Sequence, residues 1–408
     1  MKRRSAVAIA NARYRSIGFL PFGGAAGLRD RYQAVLISPA REGGLDVAAV
    51  DARDWGSIAE LGWDWLTGDW VAARAVTQSQ AKLLRLQSNR GVLALFDGEP
   101  EAALFEGRDR LVICFADGRF DPARSSPDLT LAGVEIARLA EADRADIHWA
   151  RDLYGTLESR GQSPVARPLA ALNTAAATDG VLIRVTGRAA KPVHLVYVHE
   201  STSSDAFLHH VVRIEAGAEL TLLETGPAAA RFNKVLEVDV ADGGRFHHVR
   251  AQGRDRARRA ATAIFARVGA GALFKSFTLS VNGVLTRNEC VIDIVGDGAV
   301  AHVAGAALGD GATGDFHHDD TVFVTHDAVG CESRQVFKKV LRNGATGVFQ
   351  GKILVKAGAQ KTDGYQISQS LLLDEESQFL AKPELEIYAD DVKCSHGSTT
   401  GAIDDTAL

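Results

Sequence analysis

The sequence predicts a mainly β protein built as a parallel β-helix, a solenoid, with a mixed, partly helical region before it. Three observations carry that expectation. From about residue 166 the chain is a succession of β-branched, alternating runs, among them GVLIRVTG, PVHLVYVHE, HHVVRIEAGAELTLLE and KVLEVDVADGGRFHHV. Each ends in Gly, Asp or Asn, as strands bounded by turns do. Glycine corners at Gly217, Gly243, Gly271 and Gly298 recur roughly every 27 residues, the kind of period that marks a solenoid. Further corners at Gly314, Gly330, Gly344 and Gly358 come at about half that interval, so strands of ~5–8 residues fit two to a coil. A sandwich has no such fixed long period. Forty glycines against ten prolines also suit many extended segments joined by tight corners.

Residues 1–165 have a different texture, and the chain divides into this N-terminal region and a β-helix over 166–408. The start, MKRRSAVAIANARYRS, loosely imitates a secretory leader, but its apolar stretch is short and broken by Asn11; an N-terminal helix is expected instead. VAARAVTQSQAKLLRL at 71–86 carries an apolar stripe at Val71, Ala75, Leu83 and Leu86 and reads as a helix. Trp55, Trp63, Trp65 and Trp70 crowd just before it, as a small local core would. RLVICFA reads as a strand, EADRADIHWARDLYGTLES as a second helix, and SPVARP as the boundary.

Composition narrows the function. A formal net charge of -5 and 24% charged residues give no basic field for nucleic acid or an acidic membrane surface. No apolar run approaches the ~18 residues that span a bilayer. Cys114, Cys290, Cys331 and Cys394 form no CxxC pair, so neither a disulfide framework nor a zinc finger is expected. The reading is a soluble, cytoplasmic protein without membrane or nucleic-acid partners.

Two nucleotide-like motifs fail on context. GDGATG at 309–314 spells GxGxxG, but a strand-like DFHHDDTVFVTH follows where a dinucleotide fold needs a helix. Gly351-Lys352 lacks a following Ser or Thr. No nucleotide is expected on this chain. HHDDTVFVTH at 317–326 aligns His318, Asp320 and His326 on one strand face. The two histidines lie about 26 Å apart on a straight strand, so one ion cannot bridge them, and an exposed polar face is expected. His209-His210 and His247-His248 point to opposite faces and receive no role.

The end of the chain is richer. In KPELEIYADDVKCSHGS, residues 382–398, Asp390-Asp391 shifts the strand phase, and Val392, Cys394 and His396 then share one face. Two readings stand. Cys394 can be a small hydrophobe in a core, or thiol and imidazole can be ligands at a surface. Buried without a polar partner, the imidazole would be costly. Residues i and i+2 sit about 6.5–7 Å apart on a strand, which suits a multi-iron cluster, or ligands shared with a second subunit, better than one ion.

VFQGKILVKAGAQKTDGYQISQSLLL followed by KPELEIYADDVKCSHGSTTGAIDD closely resembles the SufB/SufD family of iron–sulfur cluster assembly proteins, nearest the SufD branch. PLAALNTAAATDGVLIRV with KPVHLVYV at 168–198, and HHDDTVFVTHDAVGCESRQVFKKVL at 317–341, agree. The resemblance covers about 166–405. Near the start the family often carries a basic, Trp-containing motif after Leu-Pro, whereas here Leu20-Pro21 precedes FGGAAGLRDRY.

The resemblance implies a right-handed parallel β-helix with helical ends. It further implies a non-catalytic scaffold subunit that pairs with SufB through the C-terminal end of the β-helix and works with the ATPase SufC, which hydrolyses the ATP. The cysteine and histidine of the family's CSHG motif map onto Cys394 and His396. They are thereby implied to lie at the SufB interface and to take part in assembling a transient iron–sulfur cluster, the metal being shared with the partner subunit. The family continues into a helical tail that docks SufC, whereas GAIDDTAL ends this chain at Leu408, so that tail is expected to be absent. Two rival readings are a structural β-helix without metal chemistry and a β-helix enzyme acting on polysaccharide. Against the latter stand the unconvincing leader and the aromatic-poor coils.

Overall fold

The computed structural model describes residues 105, 107–142, 148–226, 230–253, 255–312 and 316–402. The helices expected at the chain's start and at 71–86, and the tryptophan cluster, lie outside them. The chain enters through β1 (Leu111–Ala116), β2 (Arg119–Asp121) and β3 (Val134–Arg138). Three short helices follow: α1 (His148–Arg151), α2 (Thr156–Arg160) and α3 (Pro168–Ala176). The coils then begin with β4 (Val181–Val185), β5 (Val193–Val198), β6 (Asp205–Ile214), β7 (Glu219–Thr225), β8 (Arg231–Val240) and β9 (Arg245–Gln252). They continue as β10 (Arg259–Val268), β11 (Leu273–Val281), β12 (Leu285–Ile294), β13 (Val300–Asp310) and β14 (His317–His326). The last are β15 (Glu332–Arg342), β16 (Thr346–Val355), β17 (Thr362–Leu372), β18 (Gln378–Ile387) and β19 (Val392–Ala402).

From β4 onward consecutive strands alternate between two sheets. The ten-stranded sheet runs β19-β17-β15-β13-β11-β9-β7-β5-β1-β2, the nine-stranded one β18 down to β4 and then β3. Every pairing along the coils is parallel, as in β10 with β12 and β11 with β13. The result is the expected solenoid, of about seven turns with two strands in each. Both sheets begin ahead of residue 166, since β1 pairs with β5 and β3 with β4.

Glycine fixes one edge of the coil. Gly217, Gly243, Gly271 and Gly298 all take a left-handed φ between 59° and 69°, which costs an L side chain roughly 1–2 kcal/mol. Each also donates its N–H to the corner above: Gly217 to Asp242 O, Gly243 to Ala270 O, Gly271 to Asp297 O and Gly298 to Val329 O, at 2.8–3.0 Å. The period in the sequence is this column of stacked corners.

The second expected helix is broken. Gly155, left-handed at φ 71°, separates α1 from α2. The carboxylate of Glu237 on β8 accepts the N–H groups of Gly155, Leu157 (2.7 Å) and Glu158 (3.1 Å), tying the start of α2 to the nine-stranded sheet. Leu157 and Ala170 pack there on Val235, Ala263 and Phe265. Pro168 opens α3, its ring preset for a helix start. Among the described residues no helix is long and apolar enough to cross a membrane.

Inside the coil the lining is divided. Next to the glycine corners it is apolar, with Leu220, Leu222, Phe246, Phe274, Val238, Val240, Ile292 and Val324 in one core. Next to the opposite corners it is polar and equally buried, with Glu224, Lys234, His248, Gln252, Asn288 and Lys339.

Candidate functional site

The terminal rung forms because β19 continues the alternation of β17 in register. Inward-facing Thr362, Gly364, Gln366 and Ser368 pair with Val392, Cys394, His396 and Ser398. Cys394 and His396 therefore stand on the face that, one coil earlier, lines the sealed interior. No further strand covers them among the described residues, because β19 is the edge of its sheet. Cys394 is half-buried and His396 exposed.

The thiol leans on the apolar cluster of Ile353, Val355, Ala359 and Ala389. The glycine beneath it leaves it room, since a Cβ at Gly364 would lie 3.2 Å from its sulfur. Burial, with a smaller contribution from Asp363, raises the Cys394 thiol above its ordinary value. At neutral pH it is therefore a protonated thiol. Among the described residues no three His, Cys, Asp or Glu side chains converge as a metal site.

His318, Asp320 and His326 are a correction. They share a face, but that face is interior: each is almost fully buried. Lys339 donates to His318 Nδ1 and to Asp320 Oδ2, both at 2.7 Å, and Asn288 Nδ2 donates to Asp320 Oδ1 at 3.2 Å. His326 pairs through Nε2 with Ser333 Oγ at 2.8 Å, in the next strand. The histidines are not brought together on one ion. Burial, then Lys339, lowers His318 to about 3, so its imidazole is neutral.

The paired histidines do face opposite ways. His209 points outward to Glu237, at 2.7 Å beneath the helices. His210 points inward. It accepts the Val181 N–H at Nδ1 (3.0 Å) and so donates from Nε2 to Tyr197 Oη (3.0 Å), which donates to Glu224 Oε2 (3.2 Å). Glu224 also pairs with Lys234, and accepts from His248 Nε2 at 3.0 Å. Burial alone would raise the Glu224 carboxyl, but Lys234, His248 and Arg250 outweigh it and hold it well below the usual range.

These interior ions were missed in the sequence. A signal was present: in RFNKVLEVDV the alternation puts Lys234 on one face with Phe232, Leu236 and Val238.

GDGATG falls at the end of β13 and partly outside the described residues, and β14 follows it. Gly351 and Lys352 sit inside β16, where Lys352 pairs with Glu386 at 2.5 Å.

Comparison with known proteins places relatives beside this chain. The family model for the SUF system FeS cluster assembly SufBD core domain matches residues 197–408, more than half of the chain. The iron-sulfur cluster assembly protein SufD of Escherichia coli (strain K12) is 28% identical over 324 residues, covering 74% of this chain and 69% of that protein. SufD of Bacillus subtilis (strain 168) is 27% identical over 251 residues, or 59% and 56% of the two chains. The SufBD family protein slr0076 of Synechocystis is 26% identical over 252 residues, 57% and 54%. For the latter two, the match spans little more than half of the relative. The chain belongs to the SufBD family of iron–sulfur cluster assembly proteins, and within it lies near SufD.

Proposed function

We propose that the chain is a SufD-like scaffold subunit, with no turnover of its own, that pairs with a SufB-like chain through the terminal rung of the solenoid. In this reading a SufC-like ATPase supplies the hydrolysis. Iron and sulfide are cargo. Cys394 gives up its proton and offers a thiolate, His396 offers the lone pair of a neutral imidazole, and the partner subunit completes the ligand set. Thiolate and imidazole are both established classes of iron–sulfur ligand.

One observation carries the reading: a strand that, among the described residues, is left unpaired at the sheet edge presents a thiol and an imidazole side by side on the inward face of the last rung. The unspent N–H and C=O groups of such an edge are a template for a second chain. A partner seated there would dry the site and bring further ligands to it.

The test is anaerobic co-purification with SufB-like and SufC-like subunits, followed by iron and sulfide analysis. Cys394→Ala with His396→Ala should lower cluster content while the complex still assembles. Undiminished iron and sulfide would favour a purely structural β-helix, and failure to bind the SufB-like chain would remove the proposal.

A further inference from the structure

Directly beneath His396 lies a column of two buried glutamines. Gln335 on β15 pairs in register with Gln366 on β17, and Gln366 pairs with His396 on β19. All three side chains share the inward face, one strand spacing of about 4.8 Å apart. Both glutamines are 0% exposed. Even so, Gln366 Oε1, Gln366 Nε2 and Gln335 Oε1 have no hydrogen-bond partner. An unpaired buried polar atom costs about 1–3 kcal/mol, so three in one place call for an explanation.

Gly351 on β16 shows that the two amides meet. A Cβ there would lie 2.5 Å from both Cδ and Nε2 of Gln366 and 2.8 Å from Gln335 Oε1. The absent methyl leaves the gap that both amides face.

The direction of the column follows from its lower end. Gln335 Nε2 is committed, donating to Lys352 O at 3.1 Å. The atom of Gln335 still unmet is its oxygen, and within the column only an N–H of Gln366 can meet it. Gln366 must turn its Nε2 down toward that oxygen, a rotation about a soft terminal torsion. Its own Oε1 is then left facing the last rung as an acceptor in need of a donor. The next side chain in the column is the His396 imidazole, which carries one N–H when neutral.

We propose that Gln366 is a positioning residue for His396. Its Oε1 accepts the proton of one ring nitrogen, fixing the tautomer and holding the other nitrogen's lone pair outward for metal. The relay His396 N–H to Gln366 Oε1, Gln366 Nε2–H to Gln335 Oε1, Gln335 Nε2–H to Lys352 O uses every unspent atom. Ligating histidines are commonly held this way by an acceptor on the far nitrogen. The metal half of the inference rests on the proposed role of His396; the tautomer half does not.

The experiment reads the ring nitrogen shifts of His396 by NMR, at one fixed pH, in the full metal-free chain labelled with ¹⁵N-histidine. Among the 12 histidines, its signal is the one lost in His396→Ala. One fixed tautomer is expected in the native chain, averaged shifts in Gln366→Met, and the fixed tautomer again in Gln366→Glu, which keeps an acceptor. Averaged shifts in the native chain, or shifts that Gln366→Met leaves in place, would overturn the proposal. Should Gln366→Met fail to accumulate, Gln335→Met reads the same relay: a loosened tautomer supports it and an unchanged one refutes it. In the complex with SufB-like and SufC-like subunits, Gln366→Met should weaken iron retention roughly ten- to hundredfold. Iron retention indifferent to His396→Ala would overturn the ligand role and leave the positioning result standing.

Discussion

Lys339, on β15 of the ten-stranded sheet, reaches across the inside of the coil and holds Asp320, on β14 of the nine-stranded sheet, at 2.7 Å. Both are buried, and the same ammonium also donates to His318. A contact of this kind ties two sheets that share no ladder of hydrogen bonds. Truncating one partner leaves the other charged and dry, which costs about 3–5 kcal/mol. Lys339→Ala should lower stability to urea by that amount. Lys339→Met combined with Asp320→Leu should recover most of it, because the second charge is then gone. A double variant no more stable than Lys339→Ala would mean that the ions do more than neutralise each other.

The buried histidines make the fold sensitive to acid. Burial, with Lys234 and Lys339 as further causes, holds His210 and His318 at about 3, against 6.5 for a free imidazole. Below 6.5 the unfolded chain takes up protons that the folded chain refuses. The stability these groups contribute is thus fully present above that pH and is lost progressively as pH falls toward 3. Thermal midpoints should drop steadily from pH 7 to pH 5, and less steeply in His318→Gln. A flat profile over that range would contradict the neutral assignment.

Two corner glycines separate backbone from packing. A Cβ at Gly271 or at Gly358 would meet nothing within 4 Å, but only Gly271 has a left-handed φ, of 59°. Gly271→Ala should therefore cost about 1–2 kcal/mol in equilibrium unfolding, and Gly358→Ala should cost nothing measurable. Equal effects would mean that φ is not what selects glycine in this column.

Glu237 anchors the helical cover. Its carboxylate accepts Leu157 N–H at 2.7 Å and pairs with His209 at 2.7 Å, all out of water. Glu237→Ala should speed hydrogen exchange across α2 while leaving the coils beyond β12 protected. Uniform loss of protection would show that α2 and the distant coils unfold together.

Much of this was legible in the sequence, for physical reasons that vary by element. The corner glycines from Gly217 to Gly298 were readable because a left-handed φ favours glycine, so the coil length is written as a spacing. The shared face of Val392, Cys394 and His396 was readable because a strand alternates whatever it is packed against. The interior of β14 was not. Alternation groups His318, Asp320 and His326 but does not say which side is inward, and polarity pointed outward because a dry polar lane is rare. Its partners, Lys339 and Asn288, come from neighbouring strands 19 and 32 residues from Asp320, a distance no local pattern spans. The break in the second helix hung on Glu237, some 80 residues downstream of Leu157.

Iron K-edge absorption fine structure of the anaerobically loaded complex tests most directly whether the last rung is half of a shared metal site. An imidazole contribution that disappears in His396→Ala, with the sulfur contribution reduced in Cys394→Ala, is the expected result. Iron whose ligand shell is the same in the native complex and in both variants would contradict it.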